Sequence, residues 1–173
     1  MAQKRDLLRL IHVVPVDYRG AVYHSFGEYL VDEDGKDPVV RIGDTFMHHL
    51  FGKNELAVEP ADIRIHDLTR TSHDSRILEE LDTYETTLFH LLLLIDMQRK
   101  RGKQESLLLK SGYPNIFYIR DMIGIVWTVM LSWSERSGGW SLDARSVGST
   151  NGYLPGSRFV SLNTPIVYNT STL

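Results

Sequence analysis

A long amphipathic stretch at residues 75–101 constrains the possible folds of this chain more than any other part of its sequence. Apolar residues recur there at spacings of three and four, the period of one stripe on an α-helix. This stripe consists of Ile77, Leu81, Tyr84, Leu88, Leu91 and Ile95. Asp74 and Ser75 supply acceptors for the first amides, while three basic residues and Gly102 form the expected helix end. We therefore predict one helix of roughly 35–40 Å, at about 1.5 Å per residue.

A strong strand pattern follows at residues 117–133. Alternate positions there are apolar, and only Asp121 interrupts the apolar set, which indicates a bulge or a break between two strands. Further strands are expected at residues 39–42, 62–68, 140–147 and 158–162. The elements predict an α+β fold, an antiparallel sheet or meander packed on one long central helix. Residues 1–162 form the predicted single domain and residues 163–173 a C-terminal tail.

Composition and missing motifs favour a protein without catalytic activity. The chain has 173 residues, 42% of them hydrophobic, enough for one domain with a core. It has no cysteine, which excludes disulfides and thiol catalysis, and no nucleophile-elbow, phosphate-loop or dinucleotide-binding motif. We expect no cofactor, and the sequence identifies no small-molecule substrate. No signal-peptide pattern is present, so the expected location is the cytoplasm or a virion rather than the secretory route.

Basic residues are concentrated in the second part of the chain. Residues 1–96 hold 10 Lys and Arg against 18 Asp and Glu, a net charge of −8, whereas residues 97–173 hold 9 against 4, a net charge of +5. The densest group is Arg99, Lys100, Arg101 and Lys103, and Lys110 and Arg120 are expected nearby. One interpretation is an anion-binding surface for RNA, a nucleoprotein or an anionic membrane, together with self-association. The alternative is a helix end whose charges complement the dipole.

Three tryptophans fall within one predicted hairpin. Trp127 and Trp133 share a face, and Trp140 lies on the returning strand. Tryptophans in such a position usually belong to the core, but exposed ones anchor interfaces. An exposed face here would indicate a protein-binding adaptor.

Two His-Asp pairs provide the enzymatic alternative. His66 and Asp67 are followed seven residues later by His73 and Asp74, a pattern that resembles the metal-binding pairs of phosphohydrolases. A metal-dependent hydrolase would need these side chains to converge. Adjacent residues of a strand point to opposite faces, which argues against convergence.

In outline the chain resembles the small matrix proteins of rhabdoviruses. The resemblance rests on chain size, the absence of cysteine, the basic stretch from Arg99 to Lys103, and the β meander that follows it. It implies helices packed on a twisted sheet, self-association, and bridging between nucleocapsid and membrane. The chain differs in its net charge of −3 and in lacking a Pro-Pro-x-Tyr motif near its start.

Overall fold

The computed structural model describes residues 6–16, 37–53, 55, 60–101, 106–149 and 151–167. The described strands, in chain order, are β1 (Leu8–Val14), β2 (Val39–Ile42), β3 (Ile63–Leu68), β4 (Glu85–Thr86), β5 (Asn115–Arg120), β6 (Val126–Ser134), β7 (Gly139–Ser146) and β8 (Arg158–Leu162). The described helices are α1 (Asp44–His49), α2 (Asp74–Glu80) and α3 (Leu88–Arg101).

The strands form one mixed eight-stranded sheet. Its order is β1-β3-β8-β5-β6-β7-β2, and β4 pairs with β5 beside that path. The contacts of β5 with β8, β5 with β4 and β7 with β2 are parallel, and the other pairs are antiparallel. The predicted strands at 39–42, 62–68, 140–147 and 158–162 are confirmed to within one residue.

Each face of the sheet has its own apolar cluster. On the first face, Phe117, Val129 and Val160 pack with Phe46 of α1 and with the leucines of α3. On the second face, side chains of the opposite strand parity, such as Ile116 and Phe159, pack with Ile77 of α2. The sheet is therefore the middle layer, with helices on both sides.

The predicted long central helix is wrong, and so is the α+β fold built on it. Residues 75–101 are divided between α2 and α3, and the longest described helix has 14 residues. Leu81 leaves the helix in an extended conformation (φ −88°, ψ 110°), and the threonine-rich segment that follows forms β4. The apolar stripe is largely buried, but its two halves cover opposite faces of the sheet, because β4 carries the chain from one face to the other.

The start of α3 is fixed by a distant carboxylate. Glu55 accepts hydrogen bonds from the amides of Leu88 and Phe89, at 2.9 and 2.8 Å. The ammonium group of Lys53 lies 3.0 Å from Glu55, and both residues are buried. An acidic group suits this position because the first amides of a helix lack intrahelical partners and carry partial positive charge.

Candidate functional site

The candidate functional site is the loop that joins β5 to β6. Three of its side chains form what we call the apolar tip, namely Met122, Ile123 and Ile125, which are 70%, 78% and 48% exposed. Single exposed apolar residues are ordinary on protein surfaces, whereas adjacent ones mark contact sites. The apolar tip is therefore the part of this loop best suited to contact another molecule.

Asp121 holds the apolar tip in shape. One carboxylate oxygen accepts the amides of Ile123 and Ile125, at 3.0 and 2.9 Å, and the other accepts the indole N–H of Trp127 at 2.9 Å. Arg120 adds a hydrogen bond from its guanidinium group to the carbonyl of Gly124. Gly124 has φ +93°, a conformation that favours glycine. The loop thus presents its apolar side chains in a fixed arrangement, which reduces the entropy lost on binding.

The carboxylate of Asp121 remains ionised at neutral pH. Burial by itself raises its pKa, but the hydrogen bonds from Trp127 and from the two loop amides outweigh burial and place the pKa below its ordinary value. A protonated carboxyl group would lose part of this acceptor capacity. The loop conformation is therefore tied to the charged state of Asp121.

An aromatic stack forms the base of the loop. The imidazole of His49 lies on the indole of Trp127, with ring centroids 4.1 Å apart and planes at 27°. The Nδ1 atom of His49 lies 3.9 Å from a carboxylate oxygen of Asp121, too long for a hydrogen bond. This His-Asp pair therefore lacks the hydrogen bond that orients a catalytic imidazole, and its geometry is that of packing.

Removal of the Asp121 carboxylate tests this description of the loop. We expect Asp121→Ala to lower the free energy of unfolding by about 2 kcal/mol, since a buried hydrogen-bond acceptor lost in this way costs about 1–3 kcal/mol. Denaturant titration measures the loss, and the indole N–H resonance of Trp127 in a 15N-labelled sample should move. A change below about 0.5 kcal/mol, the range of ordinary surface substitutions, would contradict the organising role of Asp121.

Carboxylates of the same chain pair with several of the predicted anion-binding residues. Arg99 pairs with Asp96 at 3.2 Å, Lys110 with Asp37 at 2.6 Å, and Arg120 with Glu85 at 2.9 Å. Lys100 and Arg101 are exposed at the end of α3, and Lys103 lies outside the described residues. The structure therefore does not gather the six side chains into one described cationic surface.

The three tryptophans occupy different environments. Trp140 is fully buried, and Trp133 packs edge-to-face on it at 5.0 Å. The ammonium group of Lys110 lies 4.3 Å from the ring centroid of Trp133. Trp127 is half-buried beneath the apolar tip. Of the three, only Trp127 takes part in the candidate site.

The two His-Asp pairs are engaged separately. The imidazole of His66 lies 3.1 Å from the hydroxyl of Ser161, while Asp67 pairs with Arg158 at 2.9 Å. His73 is exposed, whereas Asp74 is buried and accepts the hydroxyls of Tyr118 and Tyr153. Within the described ranges, no group of three or more His, Asp or Glu side chains is placed to hold a metal ion.

Comparisons with known proteins provide no relative for this chain. It matches no family model, no curated protein sequence and no solved structure. Separately, none of the helices in the described part of the chain has the length and apolar character needed to cross a membrane.

Sequence reasoning placed Asp121 correctly as an interruption but missed the apolar tip. Ile123 and Ile125 have the same parity as the buried residues before and after them, so the alternation seemed to continue through the loop. Gly124, three residues before Trp127, was the signal for a turn. A turn at Gly124 would have predicted a hairpin loop that contains Asp121 and the two isoleucines.

Proposed function

We propose that this protein is a non-enzymatic assembly protein that associates with copies of itself through the apolar tip. The observation that carries the proposal is the exposure of three adjacent apolar side chains on a loop fixed by the buried carboxylate of Asp121. The resemblance to rhabdovirus matrix proteins implies the same kind of activity. An anionic partner has less support, because Arg99, Lys110 and Arg120 pair with carboxylates of the same chain.

The size of the apolar tip sets the strength of the expected association. Full burial of a Met or Ile side chain contributes about 1.5–3 kcal/mol. Loss of translational and rotational freedom costs about 4–15 kcal/mol. Three side chains therefore support a weak association, which depends on concentration and needs further contacts around the tip. Self-association should therefore be measured at protein concentrations in the micromolar to millimolar range.

Charge introduced into the apolar tip provides the test. We expect the average mass from light scattering to rise with concentration for the natural protein, and Ile123→Asp to remain monomeric, because association would bury an unpaired carboxylate. The stability of this variant should stay within about 0.5 kcal/mol, as for exposed positions generally.

Leu154→Asp is the matched control. Leu154 is also an exposed apolar side chain, at 59%, but it lies outside the apolar tip, in the loop between β7 and β8. This variant should associate like the natural protein. A natural protein that stays monomeric at all concentrations, or an equal loss of association in both variants, would contradict the proposal.

A further inference from the structure

The apolar tip protrudes from one end of the sheet. It belongs to the turn that joins β5 to β6, and the last residue pair before this turn is Arg120 with Val126. Two such convex tips that met end to end would leave the outer sides of their side chains in water. A contact between tips alone therefore falls short of the roughly 1,200 Å² that specific interfaces bury. Full burial of the three side chains requires a concave apolar surface.

A concave apolar surface lies at the other end of the same sheet. A cavity of about 820 Å³ is formed by the start of β1, the end of β3 and the end of α2, and we call it the β1 cavity. Its apolar lining consists of Leu8, Leu10 and Leu81, of which Leu10 is 49% exposed. A volume of this order encloses a ligand of drug size. The β1 cavity therefore has room for the three side chains of the apolar tip.

The charges that line the β1 cavity balance one another. The charged groups are two basic and two acidic side chains, namely Arg9, Arg70, Asp6 and Glu80. Burial and the nearby charge of Arg64 lower the pKa of His66, which also lines the cavity, to about 4, so its imidazole is neutral at pH 7. The described lining thus carries no net charge. Such a surface suits an uncharged occupant like the apolar tip better than an acidic or a basic segment.

The apolar tip and the β1 cavity cannot meet within one molecule. The strand β3 is antiparallel to both β1 and β8, and β5 is parallel to β8, so β1 and β5 run in the same direction. The cavity lies where β1 begins, whereas the tip follows the end of β5. The two surfaces therefore lie at opposite ends of the sheet, and only a second copy can bring them together.

We propose that the apolar tip of one copy inserts into the β1 cavity of the next copy. This inference rests on the proposed function and adds the surface that receives the tip. Because the contact joins two different surfaces, a copy that has used its tip still offers its cavity. Head-to-tail contacts of this kind extend from copy to copy, whereas a contact of tip with tip ends at a dimer. The expected assembly therefore grows beyond a dimer.

Two complementary variants test this pairing. Ile123→Asp keeps the cavity but has a charged tip, and Leu10→Asp keeps the tip but has a charged cavity. Each variant alone should associate at least about tenfold more weakly than the natural protein, because the contact would bury an unpaired carboxylate. An equimolar mixture should restore association, since the natural tip of one variant can enter the natural cavity of the other. The resulting complex should stop at one copy of each.

Light scattering of each variant and of the mixture measures these masses. In the mixture, the amide resonances of Leu8 and Leu10 in a 15N-labelled Ile123→Asp chain should shift when unlabelled Leu10→Asp is added. Leu10→Lys should lose association as Leu10→Asp does, and circular dichroism establishes that each variant is folded. Val13→Asp is the matched control, because Val13 is 51% exposed on the same strand but does not line the cavity. It should associate like the natural protein.

The possible outcomes separate this inference from the proposed function. A natural protein that stays monomeric at all concentrations would contradict both. Three other results would overturn the tip-to-cavity contact alone. These are a natural protein whose mass levels off at a dimer, a Leu10→Asp chain that associates like the natural protein, and a mixture of the two variants that stays monomeric.

Discussion

Replacement of Asp74 by alanine is expected to lower the free energy of unfolding by about 3–5 kcal/mol, since it leaves two buried phenol groups without an acceptor, at about 1–3 kcal/mol each. Asp74 is 1% exposed, and its carboxylate accepts three hydrogen bonds. The donors are the hydroxyls of Tyr118 and Tyr153, at 2.7 and 2.9 Å, and the amide of Gly148, at 2.9 Å. Denaturant titration of the variant measures the loss.

The tyrosines remain donors in this network at all moderate pH values. Burial and the neighbouring charge of Asp74 raise the pKa of Tyr118, and they raise that of Tyr153 as well. In Asp74→Ala both phenol groups would stay buried without an acceptor. These buried hydroxyl groups without a hydrogen-bond partner, more than the lost carboxylate itself, produce the large expected effect.

A mutant cycle separates this mechanism from a simple packing defect. In the natural background, Tyr118→Phe and Tyr153→Phe should each cost about 1 kcal/mol, the net value of an ordinary hydrogen bond. In the Asp74→Ala background the same substitutions should cost nothing or restore stability. Purely additive effects, or a cost of Asp74→Ala below about 1 kcal/mol, would show that the network contributes little.

Local pattern predicted most strands of this fold but not the division of residues 75–101 into two helices on opposite faces of the sheet. The strands at 39–42 and 158–162 follow from β-branched and aromatic residues bounded by turn signals. The error at Leu81 arose because the 3.6-residue period continues across a break, although the two halves contact different faces of the sheet. Thr83, Thr86 and Thr87 were the local evidence for strand within that period.

The candidate site could not be predicted in full, because its side chains contact residues that are far away in the sequence. Nothing near Arg120 in the sequence indicates its ion pair with Glu85, 35 residues earlier. Asp74 likewise finds Tyr153 across 79 residues. A cluster of basic residues is visible in a sequence, but whether those charges reach solvent depends on such contacts, which only the fold determines.

Acid is expected to destabilise the protein through His90. Burial lowers the pKa of this histidine to about 3. Its Nδ1 atom accepts the amide of Thr87 at 3.1 Å, and it lies in the first turn of α3, where the helix dipole disfavours positive charge. The neutral imidazole is therefore the form that fits the folded state.

The direction of the pH effect on stability follows from the pKa values of His90 in the folded and unfolded chain. Since the unfolded value is about 6.5 and the folded value about 3, the unfolded chain binds the extra proton between these limits. The contribution of His90 is fully present above pH 6.5 and is lost as the pH falls towards 3. Between pH 7 and pH 5 the expected loss is about 2 kcal/mol, at 1.36 kcal/mol per pH unit below 6.5.

His90→Asn isolates this contribution, because its carboxamide oxygen can replace Nδ1 as the acceptor for Thr87 but does not titrate. Denaturant titrations of both proteins from pH 7 to pH 5 measure the difference, in which the effects of the other histidines cancel. The natural protein should lose about 2 kcal/mol more than the variant over this range. Parallel pH profiles would show that His90 titrates in the folded protein as it does in the unfolded chain, and that its burial does not exclude the proton.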